Sequence, residues 1–462
     1  LSRDHAVVAG GSIAGLVAAR VLADHFAAVT IVERDELPAE AVNRKGVPQG
    51  RQVHGCLPFG MRIHEQLFPG FLEEVQAAGA TKVDFLRDTA WWSPFGWRAR
   101  AESDLKVLGF TRPLWESQVR QRVLALPNVS VRAARVEGVA ASPGGKVVTG
   151  LRTGDGDTVE ADLVVDATGR GSRARRWLEE LGYRPPEEIQ VLSHMGYSSR
   201  LVRIRDEDLP AEARTIAAFP YPGASRGAGI FSQEDGMFML YAIGMIKDYP
   251  PGDPEQFMAF LGDVPTPLIR AVAERAEPVT DLHTYHMPGN YMRLWHQLED
   301  RPRNLIVTGD AVAAYNPIFG QGISVASMGA KVLDELLDEL DDLDELPERF
   351  QSEYAKTTTW AFETASSSDM AFPEVELVGV ERPAEDGAEY LVQLQQMATV
   401  DPNITAALQH AFGNMAIAHL FSDEIRARVE AWVAAGSPVA NGDPARIPEP
   451  TDEFVTLGTG VI

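Results

Sequence analysis

Between residues 6 and 34 the spacing of apolar positions changes twice, and each change predicts an element. Ala6 to Ala9 is a short continuous apolar run, Leu16 to Phe26 is apolar at helical spacing, and Val29 to Val32 is a second short run ending on Glu33. A turn of small residues, Gly10 to Gly15, separates the first run from the helix. The stretch predicts a strand, a tight turn, a helix and a second strand. Farther on, Leu163 to Val165, Asp166 to Ser172 and Ala174 to Leu181 repeat strand, turn and helix, and Leu305 to Thr308 with Ile323 to Leu337 do so again around a glycine-rich turn, Pro317 to Gly322.

The intervening segments change period. Val129 to Val139 and Val147 to Arg152 read as strands joined by SPGGK, a hairpin laid on the first unit. Residues 188 to 246 are rich in β-branched and aromatic residues, alternating in parts, and predict a largely antiparallel sheet. Its inward face is expected to draw on Met195, Tyr197, Phe219, Phe231, Met237, Met239 and Tyr241. A helix is expected over 255 to 275, an acidic helix face in DELLDELDDLDELPE, and helices from 385 to 436. Within that last span ITAALQHAFGNMAIAHLF is nearly uncharged: a buried helix capping the second domain, or a membrane-facing or substrate-admitting one.

This organisation predicts an α/β fold: a Rossmann-like domain with a β-meander, a mostly antiparallel second domain and a C-terminal helical region. The expected division is 1–185 (with a pocket segment near 85–110), 186–285, 286–345 as a return to the first domain, and 346–462. A chain of 462 residues is long enough for two packed domains. The net charge of -24 argues against nucleic acid and anionic membrane surfaces as partners. Cys56 is the single cysteine, so an internal disulfide is excluded and a reducing cytoplasm is the expected setting. No apolar run reaches the length of a membrane span, and no signal-peptide pattern opens the sequence.

The glycine turn carries the first chemistry. Strand, Gly10, a small second position, Gly15, helix and an acid at the end of the next strand form a dinucleotide-binding fingerprint. Ser12 stands where a glycine is usual, small enough to be tolerated and able to donate to a phosphate. Glu33 is placed to accept from a ribose hydroxyl. The long polar loop after it makes Gln49, Arg51 and His54 candidates to reach a bound cofactor. Arg112, before Pro113 at a helix start whose polar side carries Glu116, Arg120 and Arg122, is either a phosphate or ribose contact or a solvated surface residue. Asp310, at a strand end, suits a ribityl hydroxyl, and the amides opening the next helix suit an electron-rich ring edge. WWSPFGW, residues 91 to 97, lines an apolar pocket or covers a sheet. His194, His283 and His286 read as structural, and no hydrolytic triad or metal-ligand set stands out.

GGSIAG followed by VER, then DATGRGSR, then GDAVAAYNPIFGQGIS together resemble the FAD-dependent monooxygenases of the para-hydroxybenzoate hydroxylase fold, over roughly residues 6 to 340. RKGVPQGRQVHG and VTGDAVAAYNPIFGQGIS are most similar to the flavin epoxidases of polyether polyketide biosynthesis, relatives of squalene epoxidase. The resemblance implies FAD held by Gly10, Ser12, Ile13, Ala14, Gly15, Glu33, Arg34, Arg51, Arg112, Val136, Asp310, Pro317, Gly320, Gln321, Gly322 and Ile323, with Pro317, Gly320 and Gly322 next to the ring. It implies transfer of one oxygen atom from a flavin C4a-hydroperoxide to a C=C bond of a large apolar polyketide or terpenoid, with no protein residue singled out as catalytic. Trp92, Trp97, Tyr197, Phe219, Phe231, Met239 and Tyr241 are the expected substrate contacts. Aromatic hydroxylation in a polyketide pathway is the main alternative; halogenation, against which the WWSPFGW stretch speaks, and prenyl reduction follow it. Asp166-Ala167 replaces the group's usual Asp-Gly pair, so NAD(P)H is expected to reduce the flavin either directly or through a separate flavin reductase.

Overall fold

Five parallel strands make the first sheet, in the order Leu305–Val307, Leu163–Asp166, His5–Ala9, Ala28–Glu33, Val129–Ala133. The central strand is buried from Ala6 to Ala9, as a parallel strand covered on both faces must be. On one face lie helices Ile13–His25 and Gly322–Glu339, packed together; a three-stranded antiparallel meander, Val136–Ala141, Val148–Thr153 and Thr158–Glu160, accompanies the sheet. These are features of a computed structural model in which residues 3–383, 388–440 and 442–456 are described. No helix among them is long and apolar enough to cross a membrane.

The expected strand 129 to 139 is two strands. Val129–Ala133 completes the parallel sheet, the amide of Ala134 bonds the Glu33 carbonyl, and the chain then crosses to the meander as Val136–Ala141. The expected helix 255 to 275 is also two, Pro254–Leu261 and Leu268–Ala273, because Pro265 and Pro267 cannot continue a helical ladder. Arg112 is the first residue inside helix Arg112–Leu124; Thr111 is the extended cap, its hydroxyl accepting from the Leu114 amide. The acidic run spans the end of Gly322–Glu339 and a break before the 25-residue helix Leu346–Met370, with Leu333, Leu336, Leu337 and Leu343 buried beneath exposed acids.

The second sheet runs Glu277–Pro278, Met195–Arg203, Met237–Gly244, Arg226–Ser232, Thr215–Ala218, Thr89–Ser93, Gly96–Trp97, with His283–Met287 pairing beside Met195–Arg203. The last two strands at one end, Thr89–Ser93 and Gly96–Trp97, come from the first part of the chain, Thr89–Ser93 pairing parallel with Thr215–Ala218. Strand period two sorts its aromatic residues onto opposite faces. Trp97 faces helices Pro254–Leu261 and Leu268–Ala273, in a core with Ile230, Leu240 and Phe257, and Trp92 packs on it at 5.2 Å between ring centres. The other face, toward the parallel sheet, carries Trp91, Phe219, Phe231, Met239, Tyr241 and Tyr197.

The C-terminal region forms helices Ala388–Met397, Pro402–Gly413 and Asp423–Ala434. The uncharged run does not make one helix capping the second domain. It breaks after Gly413, and its first half sets Phe412 5.9 Å from Phe319 and 6.4 Å from Trp360, over the glycine-rich turn of the first domain. Trp97 is 2% exposed. Trp97→Ala is therefore expected to cost roughly 3–5 kcal/mol of stability in chemical denaturation while leaving the cofactor content of the folded protein unchanged.

Candidate functional site: a cofactor cleft between the two sheets

The turn after strand His5–Ala9 is built on two glycines that admit no side chain. Gly10 has φ +100, and a Cβ there would lie 2.6 Å from the Ala167 carbonyl oxygen. A Cβ on Gly15 would lie 1.8 Å from the Gly10 carbonyl oxygen, so the helix rests directly on the turn. Ser12, Ile13 and Ala14 at the start of helix Ile13–His25 line a cavity of about 600 Å³. The Ser12 side chain does not cap that helix, which leaves its first amides for an anion.

Ser12 is occupied otherwise than expected. Its hydroxyl donates to Glu116 Oε2 at 2.9 Å and accepts from Arg112 Nη2 at 2.9 Å. Glu116, 4% exposed, also takes Arg44 Nε at 2.9 Å and Nη2 at 2.6 Å, with Arg120 Nη1 at 3.6 Å. Burial alone would raise its carboxyl; the guanidiniums of Arg112 and Arg44 outweigh that and hold it below its ordinary value. Arg44 further bonds the Gly11 carbonyl and stands 3.7 Å from Glu33 and from Asp35. Glu33 accepts from the amides of Gly11 at 2.7 Å and Asp35 at 2.9 Å, which fixes its carboxylate at the rim of the turn.

At the other end of the cavity, Asp310 lies in the turn Gly309–Ala311 after strand Leu305–Val307. Burial raises its carboxyl, opposed by the charges of Arg170 and Arg112. Its backbone is pinned from below: Tyr291 donates to the Asp310 carbonyl at 2.5 Å and Arg293 to that of Ala311 at 2.9 Å. The Pro317–Phe319 turn follows, capped by Asn316 and closed by Gly320 at φ +59. Beyond it Gln321, 1% exposed, lines the cavity with neither amide atom hydrogen-bonded. A buried amide without partners is costly unless a ligand completes it. The turn hangs from Asp369 on helix Leu346–Met370, whose carboxylate accepts from Asn316 at 2.7 Å and Asn290 at 2.8 Å; Tyr197 in turn donates to Asn316 at 3.3 Å.

Of the residues expected to hold the cofactor, Gly10, Ser12, Ile13, Ala14, Glu33, Arg34, Arg112, Val136, Asp310, Pro317, Gly320, Gln321, Gly322 and Ile323 line one cavity. Gly15 lies behind the turn. Arg51 does not line the cavity: it is exposed and reaches His283 Nδ1 at 3.3 Å, while Gln49 and His54 from the same loop do line it. Burial, and then the charge of Arg112, lower the His54 imidazole to about 4, so it is neutral at pH 7. Arg44, Gly46 and Arg173 are cavity residues not singled out beforehand as cofactor contacts. Asp166 turns inward, accepting from Thr168 and Ser172, and so ties its own loop instead of reaching a ligand. Tyr197, Phe219, Phe231, Met239 and Tyr241 share one sheet face, from which Tyr197 reaches the turn through Asn316, but they do not line this cavity; the second sheet meets it at Tyr285. Trp92 and Trp97 lie on the far face, where the alternation of the strand puts them, and Trp91 takes the inner position. The cleft fits FAD: a tight phosphate turn with an acid at one end, and at the other a buried acid beside an amide that lacks a partner.

Gly15→Val is expected to abolish FAD retention, read as loss of the yellow colour and of flavin released on denaturation. Asp369 supplies a pH test. Burial pushes its carboxyl up to about 6, against the bonds from Asn316 and Asn290. Its unfolded value is about 3.9, so its contribution to stability is complete below that value and is lost as pH rises through about 6. The stability advantage of wild type over Asp369→Asn is expected to shrink by roughly 3 kcal/mol across that window, measured by denaturation at stepped pH.

No family model matches the chain. Protein Rv3254 of Mycobacterium tuberculosis is 37% identical over 346 residues, which cover 71% of this chain and 72% of the relative. A kynurenine 3-monooxygenase of Salinispora tropica is 26% identical over 360 residues, 72% of this chain and 73% of the relative. Among solved structures, PqsL of Pseudomonas aeruginosa in complex with 2-aminobenzoylacetate superposes with a TM-score of 0.60 at 17% identity, covering 80% of this chain and 97% of that one. The chain belongs to the same family as protein Rv3254 and has the fold of the FAD-dependent monooxygenases typified by para-hydroxybenzoate hydroxylase.

Proposed function

We propose that the protein is an FAD-dependent monooxygenase that epoxidises a C=C bond of an apolar polyketide-like or terpenoid-like substrate. The observation that carries the choice of reaction is the composition of the sheet face over the Pro317–Gly320 turn. The strands Thr89–Ser93, Met195–Arg203, Thr215–Ala218, Arg226–Ser232, Met237–Gly244 and His283–Met287 contain no Asp or Glu, and His283, which register places in one row with Ser199 and Tyr241, is engaged by Arg51 at 3.3 Å. Phe219, Phe231, Met239 and Tyr241 with Trp91 offer contact area and exclude water there. Addition to an alkene needs no base, whereas hydroxylation of a phenol asks for one near the ring.

When bound and reduced, FAD activates dioxygen and supplies one oxygen atom. The chain's part is placement. Gly10 and the amides opening helix Ile13–His25 would receive the pyrophosphate, with Arg112 and Arg44 adding positive charge. Glu33 would accept from the ribose and Asp310 from the ribityl chain, and Gln321 with the turn Pro317–Gly320 would border the ring. The Asp369, Asn290 and Asn316 bonds, with Tyr197 on Asn316, tie that turn to the sheet face and would fix the separation of ring and substrate.

Aromatic hydroxylation is the second reading, favoured by the similarity to kynurenine 3-monooxygenase and by the tyrosine hydroxyls on the face. One experiment separates the two: protein supplied with reduced flavin, oxygen-18 gas and either a polyprenyl alkene or an aminophenyl ketone. An epoxide carrying one oxygen-18 atom is expected; labelled phenol alone shifts the assignment to hydroxylation, and absence of label in any product sinks the monooxygenase reading. Anaerobic mixing with NADPH alone reports the electron source. Rapid bleaching of the flavin means direct reduction, and bleaching only with an added flavin reductase means a partner.

A further inference from the structure

Strand register places one residue of each strand in a row across the inner face of the second sheet. Arg98 stands opposite Trp91, its amide bonded to the Trp91 carbonyl at 3.0 Å; the row continues through Ala217, Gly229, Tyr241 and Ser199. Arg98 therefore projects beside Trp91 and Phe219, on the face turned toward the cofactor cleft. Its backbone is clamped, the next amide donating to the Ala398 carbonyl at 2.7 Å.

Among the described residues the Arg98 side chain has no hydrogen bond and no carboxylate partner, and its Nε is buried without an acceptor. Arg100, two positions on, shows what a structural arginine in this segment looks like: it donates to the carbonyls of Arg87, Ala211 and Pro448. Burial, with nothing opposing it, lowers the Arg98 guanidinium to about 10. The same Ala398 carbonyl also accepts from the Thr405 hydroxyl at 2.9 Å, which ties the Arg98 segment to helix Pro402–Gly413, and that helix carries a second unpaired group one turn on. Gln409, 4% exposed, has neither amide atom paired. It sits on helix Pro402–Gly413 between Ala406, which packs on Ala101 and Leu86, and Phe412, which packs on Phe319. Arg98 Nε and both atoms of the Gln409 amide are buried without partners, which costs stability unless something completes them, while the half-buried Arg98 leaves the outer end of its fork open to a ligand.

We propose that Arg98, assisted by the Gln409 amide, receives a carboxylate carried by the otherwise apolar substrate. This rests on the reading of the sheet face as the substrate wall. The guanidinium fork pairs both carboxylate oxygens, and the Gln409 amide can donate to one of them. The anion then orients the molecule, with its unsaturated end running along Phe219, Phe231 and Tyr241. An unsaturated acid, and not a neutral hydrocarbon, is the substrate class.

The test uses FAD-loaded protein without reductant, so it is independent of turnover. Cinnamate, geranate and oleate are titrated by calorimetry against their neutral amides. At least one acid is expected to bind roughly ten- to a hundredfold more tightly than its amide, and that preference is expected to vanish in Arg98→Met while the amide binds as before. Arg98→Met is also expected to keep full FAD content and a melting temperature equal to or above that of wild type, because an uncompensated charge has been removed. Arg98→Lys keeps the charge without the fork and is expected to retain only part of the preference. Equal binding of every acid and amide to wild type, a preference that survives in Arg98→Met, or a fall of its melting temperature overturns the proposal. Acid binding through Arg98 without labelled product in the oxygen-18 experiment would refute the oxygen-transfer reading and leave this site standing.

Discussion

Glu116 is a carboxylate almost without water, and three guanidiniums and a hydroxyl converge on it. Through them it joins pieces of chain that share no secondary structure: the loop carrying Arg44, the first turn of helix Ile13–His25 through Ser12, and the helix that supplies Arg112 and Arg120. Losing one partner of such a buried group costs about 3–5 kcal/mol, because the remaining charges stay desolvated. Arg112 and Arg44 also line the cavity, so the group that holds them rigid points positive charge at the phosphate end of a chain whose net charge is -24. A strongly acidic protein needs that local reversal to hold a dianionic pyrophosphate.

The second sheet separates two kinds of work by its pleat alone. One face takes the helices and is plain core, with Trp97, Leu240 and Phe257; the other faces the cleft with Trp91, Phe219, Phe231 and Tyr241. Neighbouring tryptophans at 91 and 92 thus belong to different environments. The asymmetry extends to polar groups: Arg100 is fully paired with carbonyls, Arg98 is not. Rigid strands carrying the wall, and a turn held by Asp369 beneath it, leave little play between the two.

Much of this could be read from residue spacing, and the exceptions are instructive. The strand, Gly10 to Gly15 and Glu33 announced themselves because steric demand restricts those positions to very few residue types. Asp310 and the turn to Gly322 were legible for the same reason. Arg44 was not, since it sits in an irregular loop where no periodicity says which side chain turns inward; Arg51, equally plausible there, turns outward. WWSPFGW gave no sign of facing because both of its faces carry tryptophan and are covered to a similar, partial degree, which erases the alternation that marks a strand with one solvated face. Asp369 stands in SSSDM, a polar run that reads as solvated helix surface, and only the packing of that helix against Asn290 and Asn316 reveals a buried acid. The break in the uncharged C-terminal run had a local signal, Gly413-Asn414, that apolar content outweighed.

The cofactor cleft is closed by the strand Leu305–Val307, which docks at the edge of the parallel sheet only after the whole second sheet has been synthesised. A nascent chain of about 300 residues already holds the phosphate turn and Glu33, yet lacks Asp310, Gln321 and the helix from Gly322. Domains emerging from the ribosome fold largely in order of synthesis, so such an intermediate presents only half of the cavity lining. A ligand spanning both halves of that lining would bind only after the chain has returned to the domain where it began, and its binding would stabilise that return.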